Sequence, residues 1–180
     1  MVSIKTDQRQ KDDFYPTPPE ATLALLSNEY FSHDKPIWEP ACGDGAISKV
    51  LEKNGYNVIS SDLNDFGYGQ HGIDFLLETK SQAKQVVTNP PFKLANQFVQ
   101  KCLYFEMERF AILLRLAFLE GQERKRDIFD INAPARVLIF SKRLTIWRGD
   151  QERPEKSSGT TAYAWFIWNG ESKSTVIDWI

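Results

Sequence analysis

Short apolar runs recur along the chain, and most of them are bounded by polar residues or by glycine and proline. Runs of this length and setting are typical of buried β-strands. They predict strands at 36–38, 57–61, within 72–76, 85–88, 110–114, 136–141 (with 144–147 as an extension) and 162–168. The last apolar positions can pack as an edge of the same sheet; they are Val176, Ile177, Trp179 and Ile180.

Between several of these runs, apolar residues follow a helical spacing. Two sets show it: Leu23, Leu26 and Tyr30, and then Leu94, Phe98, Cys102 and Phe105. Further helices are predicted at 46–53, 79–84 and 117–129. Thr17 is predicted to cap the first helix, because Pro18 and Pro19 suit its first turn.

This alternation of strands and helices predicts an α/β fold. Its sheet is expected to be mainly parallel, with helices on both faces. The runs 136–141 and 162–168 have no predicted helix between them, so they indicate an antiparallel hairpin at one edge. A single domain is predicted over 14–180, after a mobile arm at 1–13. The polar stretch 148–161 is expected to be a mobile loop.

Composition excludes some classes of protein but does not identify the function. The chain has 180 residues and a net charge of −2, which argues against a protein that coats polyanions. No apolar run approaches the ~20 residues that span a bilayer, and the first dozen residues do not read as a signal peptide. Cys42 and Cys102 lack zinc-ligand spacing, and His33 and His71 stand alone, so no metal site is predicted. A cytoplasmic, reducing location is the expectation.

The sequence Asn89-Pro90-Pro91-Phe92 follows the apolar run that ends at Thr88. A strand cannot continue its ladder through two prolines, because proline has no N–H to donate. The chain therefore turns there, and the turn would present the Asn89 amide, the Pro90 carbonyl and the Phe92 ring to one space. Two acceptors and an aromatic plate suit a planar group that carries an NH₂, such as a nucleobase. The alternative is a purely structural turn.

The stretch from Glu39 to Gly45 lies between a predicted strand and a predicted helix. Gly43 and Gly45 permit a sharp turn and a close approach of a ligand to the backbone. Asp62 ends the next strand, at about the distance downstream where ribose-binding carboxylates occur in nucleotide folds. Asn64 and Asp65 compete with Asp62 for that role, and an ordinary loop aspartate is the alternative.

These motifs resemble those of a known family. Glu39-Pro40-Ala41-Cys42-Gly43-Asp44-Gly45 resembles the S-adenosylmethionine loop of class I methyltransferases, especially DNA adenine-N6 methyltransferases. Asn89-Pro90-Pro91-Phe92 resembles their catalytic Asn/Asp-Pro-Pro-aromatic motif. Phe14-Tyr15-Pro16-Thr17-Pro18 resembles the N-terminal segment of the group that places it ahead of the glycine loop. The order and spacing of the three motifs match that group.

The resemblance implies a single Rossmann-like methyltransferase domain that binds S-adenosylmethionine. Tyr15 and Thr17 would lie near the methionine part of the cofactor. Its other expected contacts are Glu39, Ala41, Gly43 and Gly45 in the loop, Asp62 at the ribose hydroxyls, and Asp74 with Phe75 at the adenine. The catalytic residues would be Asn89, Pro90, Pro91 and Phe92.

Basic residues in the later part of the chain are candidates for substrate contacts. They are Arg124, Lys125, Arg126 and Arg148. A basic residue near a bound nucleic acid can contact its phosphates. The alternative for the first three is a solvated helix face.

The expected activity is methylation of adenine N6 in DNA. Methylation of an RNA base or of a protein glutamine, and an inactive scaffold that binds the cofactor, are the alternatives. DNA enzymes of the family usually carry a target-recognition region after the catalytic core, and little follows the last predicted strand here. Sequence-specific recognition would then come from the loops, from a specificity partner or from a second copy in a homodimer.

Overall fold

The computed structural model describes residues 14–147, 161–170 and 174–180. The predicted arm at 1–13 and most of the predicted loop at 148–161, including Arg148, lie outside the described residues. The seven strands of the described part are β1 Ile37–Glu39, β2 Val58–Ser60, β3 Gln85–Thr88, β4 Arg109–Arg115, β5 Arg136–Ile139, β6 Tyr163–Trp168 and β7 Val176–Trp179. The helices are α1 Pro19–Asn28, α2 Ser48–Lys53, α3 Ala95–Tyr104 and a helical segment at 122–132.

The strands form one sheet in the order β2-β1-β3-β4-β6-β5-β7. β2, β1, β3 and β4 are parallel to one another, and β6 is antiparallel to both β4 and β5. β7 lies at the edge, parallel to β5. The predicted α/β architecture, mainly parallel with an antiparallel pair towards one edge, is confirmed.

Side chains of the central strands alternate between two apolar cores, one on each face of the sheet. In β4, Phe110, Ile112 and Leu114 belong to the first core, whereas Ala111 and Leu113 belong to the second. The first core is closed by α3 and the 122–132 segment, through Phe98, Val99, Cys102 and Ile128. The second is closed by α1 and α2, through Ala21, Leu25 and Leu51. Both faces of the sheet are therefore covered, as predicted.

The buried face of α1 differs from the prediction. Leu23 is 46% exposed and Tyr30 is 68% exposed, while Ala21 and Leu25 are fully buried. The indole Nε1 of Trp165 donates to the Ala21 carbonyl at 2.8 Å. The Trp165 indole therefore contacts α1 on its Ala21 side, and a residue far along the sequence takes part in setting which face of the helix is buried.

Several local predictions were also wrong. Residues 72–76 form turns rather than a strand, because the Asp74 carboxylate accepts the Leu76 N–H at 2.9 Å. No helix forms at 79–84, where the Ser81 hydroxyl bonds to the Ala83 backbone instead. β5 ends at Ile139, and 144–147 is not a strand. The predicted helix at 117–129 is interrupted at Gly121, whose φ is +109°.

In the described part of the chain, no helix has the length and apolar character needed to cross a membrane.

Candidate active site

A cavity opens beyond the carboxyl ends of β1 and β3, which are neighbours in the sheet. Both predicted turns reach it, together with the segment that precedes α1 and the loop that follows β2. The predicted site residues that line it are Tyr15, Thr17, Glu39, Ala41, Gly43, Asp62, Asp74, Phe75, Asn89 and Pro91. Residues far apart in the sequence are therefore brought to one place.

The two glycines of the β1–α2 loop have different surroundings. Gly43 has φ +53°, and a Cβ there would lie 2.5 Å from the Phe14 ring. Gly45 has φ +81°, and a Cβ there would lie 2.6 Å from the Tyr68 ring. Gly43 borders the cavity, whereas Gly45 is not among the residues that line it. Gly45 was expected beneath the cofactor; in the structure it makes room for Tyr68.

Three carboxyl groups line the same side of the cavity, from Glu39, Asp44 and Asp62. Burial raises the pKa of Glu39 well above its ordinary value; hydrogen bonds from Ser48 oppose that rise, and the charges of Asp62 and Asp44 add to it. One oxygen of Asp44, Oδ1, is buried and has no hydrogen-bond partner among the described residues. This side of the cavity favours a positively charged or hydroxyl-bearing ligand.

Asp62 is tied to the glycine loop. Its Oδ2 accepts the Gly43 N–H at 2.9 Å, and its Oδ1 accepts the Asn64 N–H at 2.9 Å. Because a carboxylate oxygen has two lone pairs, each oxygen can accept a further hydrogen bond. Asp65 lies outside the cavity lining, and its Oδ1 accepts the Gly67 N–H. The geometry therefore favours Asp62 and Asn64 over Asp65.

The Asn89 side chain is fixed by the segment that precedes α1. Its Nδ2 donates to the Tyr15 carbonyl at 3.2 Å and to Thr17 Oγ1 at 3.0 Å. The Tyr15 carbonyl can only accept, so it sets which way the amide faces. Asn89 Oδ1 is buried and has no partner among the described residues. A buried acceptor of this kind is costly to leave unpaired, and in an open cavity it marks a place for a donor.

Thr17 does not cap α1 as predicted. Pro18 occupies the N-cap position, and no side chain caps the helix. The Thr17 hydroxyl, in a residue only 4% exposed, is instead turned to Asn89. The proline at the N-cap fixes an extended backbone, so the preceding residue points away from the helix.

The double-proline turn borders two cavities. Asn89 and Pro91 line the first, Pro90 is buried, and Phe92 lines a second cavity. The other residues of this second cavity are Ala95, Leu114, Arg115, Ala117, Phe118 and Arg124. The Phe92 ring lies 5.7 Å from the Tyr15 ring and 5.6 Å from the Tyr163 ring, between centroids. The guanidinium of Arg115 lies over the Phe92 ring, 4.6 Å from its centroid.

The basic residues of the 122–132 segment are largely engaged within their own neighbourhood. Lys125 pairs with Asp130 at 2.7 Å, and Arg126 pairs with Asp127 at 2.5 Å. Arg124 borders the second cavity, but its Nε donates to the carbonyls of Phe118 and Glu120.

Arg115, Tyr163 and Asp44 were not predicted as site residues. The sequence could have pointed to two of them. Asp44 lies inside the loop from Glu39 to Gly45, and Arg115 is the charged residue that ends the apolar run of β4, the strand next to β3. Tyr163 pairs with Arg115 across the antiparallel β4–β6 ladder. The sequence alone does not reveal that register.

Among the residues with described positions, no group of three or more His, Cys, Asp and Glu side chains is arranged to hold a metal ion.

Comparisons with known proteins identify the fold. No family model matches the chain, and no curated protein matches it in sequence. Among solved structures, it resembles a candidate RNA methyltransferase from Pyrococcus horikoshii, with 17% identity and a TM-score of 0.59, over 83% of this chain and 79% of that one.

Two further structures are similar. The methyltransferase subunit of a type I restriction-modification system from Streptococcus thermophilus has 13% identity and a TM-score of 0.61, over 92% of this chain. The chain spans only 48% of that subunit. A candidate hemolysin from Lactococcus lactis has 10% identity and a TM-score of 0.60, over 89% of this chain and 91% of that one. Because all three identities are low, the likeness is one of fold: the chain has the Rossmann-like fold found in methyltransferase structures.

Proposed function

We propose that the protein transfers a methyl group from S-adenosylmethionine to the exocyclic N6 of adenine in DNA. The observation that carries the proposal is the buried oxygen of Asn89. It has no partner among the described residues, its amide nitrogen is held by Tyr15 and Thr17, and the turn that carries it borders the first cavity through Asn89 and Pro91 and the second through Phe92.

The first cavity suits S-adenosylmethionine. The cofactor carries a sulfonium and an ammonium group, which match the carboxyl groups of Asp44 and Asp62 in the lining. Burial raises the pKa of Glu39 and so favours its neutral form. The ribose hydroxyls match the spare acceptor capacity of Asp62. The adenine matches the apolar part of the lining, which includes Ile73, Phe75 and Phe98. When bound, the cofactor supplies an activated methyl group.

The residues of the double-proline turn would orient the acceptor. An exocyclic amine is a weak nucleophile because its lone pair is delocalised into the ring. Asn89 Oδ1 and the Pro90 carbonyl can accept its two N–H groups, which favours a more localised lone pair. Phe92 can stack on the base and hold the nitrogen in line, and such orientation supplies much of the rate in group transfer. The base would reach this site unpaired or flipped out of a duplex.

The choice of DNA over RNA rests on the sequence resemblance, and the choice of a base over a protein amide is supported by Phe92 and Phe118 in the lining of the second cavity. RNA bases and protein glutamines carry NH₂ groups that could meet the same acceptors. One assay separates these substrates: the protein is incubated with labelled S-adenosylmethionine and, separately, with duplex DNA, single-stranded DNA, RNA or a protein extract. The proposal predicts label on DNA, as N6-methyladenine. Label confined to RNA or protein would contradict it, and cofactor binding with no label anywhere would indicate a scaffold.

A further inference from the structure

Arg115 is the last residue of β4 and stands beside the double-proline turn. Its guanidinium covers the Phe92 ring at 4.6 Å from the centroid, and it also lines the second cavity. Burial raises the pKa of the neighbouring Tyr163, and the charge and hydrogen bond of Arg115 oppose that rise. The residue therefore holds a positive charge on the ring where the proposed substrate would stack.

The charge of Arg115 is not matched by an acid in the part of the chain that the structure describes. Within the described residues, no carboxylate lies at ion-pair distance from Arg115, whereas Arg126 and Arg136 pair with acidic side chains. Its contacts are with an aromatic face and a phenol. A cation–π contact at an exposed position is weak, and a guanidinium pairs more strongly with a phosphate.

We propose that Arg115 contacts a phosphate of a polynucleotide substrate, next to the base that stacks on Phe92. The base takes the face of Phe92 that the guanidinium covers, and the guanidinium moves to the adjoining phosphodiester. This inference rests on the proposed function, and it commits the site to a polyanion rather than to a protein amide. Phosphate contacts of this kind position the substrate without reading its sequence.

The test compares Arg115→Gln and Arg115→Lys with Lys35→Gln, a control whose cation is exposed, already paired with Glu108, and just ahead of β1, away from the carboxyl ends of the strands. Binding of fluorescent single-stranded DNA and RNA oligonucleotides of one sequence is measured over a range of salt concentrations. Arg115→Gln should bind about tenfold more weakly. The slope of log affinity against log salt should fall by about one for that variant. Arg115→Lys should keep the slope, and Lys35→Gln should match the unmodified protein. Cofactor affinity and the unfolding midpoint should be equal in all four proteins.

Equal affinity and slope for Arg115→Gln and the unmodified protein would overturn the inference, as would binding of neither oligonucleotide. An unmodified protein that methylates only a protein substrate would overturn it as well. Failure of the proposed reaction can be told apart from failure of this inference. If the protein binds oligonucleotide but methylates none of the substrates, the proposed reaction is wrong, and the salt slopes still decide whether Arg115 contacts a phosphate. The tighter of the two oligonucleotides identifies the nucleic acid.

Discussion

At the scale of single residues, the described structure holds the Asn89 side chain by hydrogen bonds at its amide nitrogen and not at its oxygen. Its two N–H groups are satisfied by Tyr15 and Thr17, while its oxygen is buried and unpaired. Thr17 therefore acts through Asn89: its hydroxyl keeps the amide from rotating and so fixes where the oxygen lies. The sequence pointed to both residues, but not to the hydrogen bond between them.

Thr17→Val removes that hydroxyl with little change of shape. We expect kcat for methyl transfer to fall about tenfold, since one hydrogen bond that orients the acceptor is lost. Cofactor affinity should change little, and Thr17→Ser should restore most of kcat. Steady-state kinetics and a cofactor titration measure both quantities. A loss confined to cofactor affinity would place Thr17 at the cofactor rather than at Asn89.

Glu39 gives a prediction about pH. Burial raises its pKa in the folded protein, so the folded state keeps a proton that the unfolded chain releases. The free energy of unfolding should therefore fall as pH rises from about 4.5, the ordinary value, towards the raised pKa. Glu39→Gln carries no ionisable group, and its amide oxygen can still accept from Ser48.

The Tm of Glu39→Gln minus that of the unmodified protein should thus become more positive across that interval and stay constant below it. Thermal unfolding followed by circular dichroism at a series of pH values measures the difference. Parallel Tm curves would contradict a raised pKa for Glu39.

At the scale of elements, the β1–α2 loop depends on a close approach between Gly43 and Phe14. An alanine at 43 would be in the left-handed region at φ +53° and would also meet the Phe14 ring. Gly72 is a matched control, because its φ is +76° but a Cβ there would meet nothing within 4 Å.

Both Gly43→Ala and Gly72→Ala should lose about 1–2 kcal/mol of stability from the backbone conformation. Gly43→Ala should lose more than Gly72→Ala and should also bind cofactor more weakly, because Phe14 must move within the cavity lining. Urea unfolding and a cofactor titration measure these effects. Equal losses in the two variants, with cofactor affinity intact, would show that the Phe14 contact is unimportant.

Elements were predictable where local pattern and tertiary packing agree. β3 and β4 are short apolar runs whose residues are nearly all buried, and α3 buries the predicted Phe98 and Cys102. The prediction failed where a distant residue takes part in setting the packing, as Trp165 does against α1. It also failed where one side chain competes with the backbone, as Asp74 does in the turn at 72–76.

At the scale of the whole molecule, sequence order predicted a mainly parallel sheet and placed both turns at its carboxyl edge. That juxtaposition could be predicted because parallel strands with crossover helices end on the same side. That the double-proline turn borders two separate cavities could not be predicted. It depends on Phe92 packing against Tyr15 from the start of the described chain and Tyr163 from β6. Contacts between residues so far apart in the sequence leave no local pattern.

The most direct test of the proposed reaction is the amount of N6-methyladenine formed in DNA by the unmodified protein, by Asn89→Ala and by Asn28→Ala. Asn28 is a matched control, because it is exposed at the end of α1 and its Nδ2 donates to the Ala24 carbonyl of the same helix. Digested DNA is quantified by mass spectrometry after incubation with S-adenosylmethionine, and cofactor affinity is measured in parallel. We expect the unmodified protein and Asn28→Ala to form N6-methyladenine equally, and Asn89→Ala to form none while binding the cofactor. N6-methyladenine formed by Asn89→Ala at the unmodified rate would contradict the role of the Asn89 oxygen, and its absence with the unmodified protein would contradict the reaction itself.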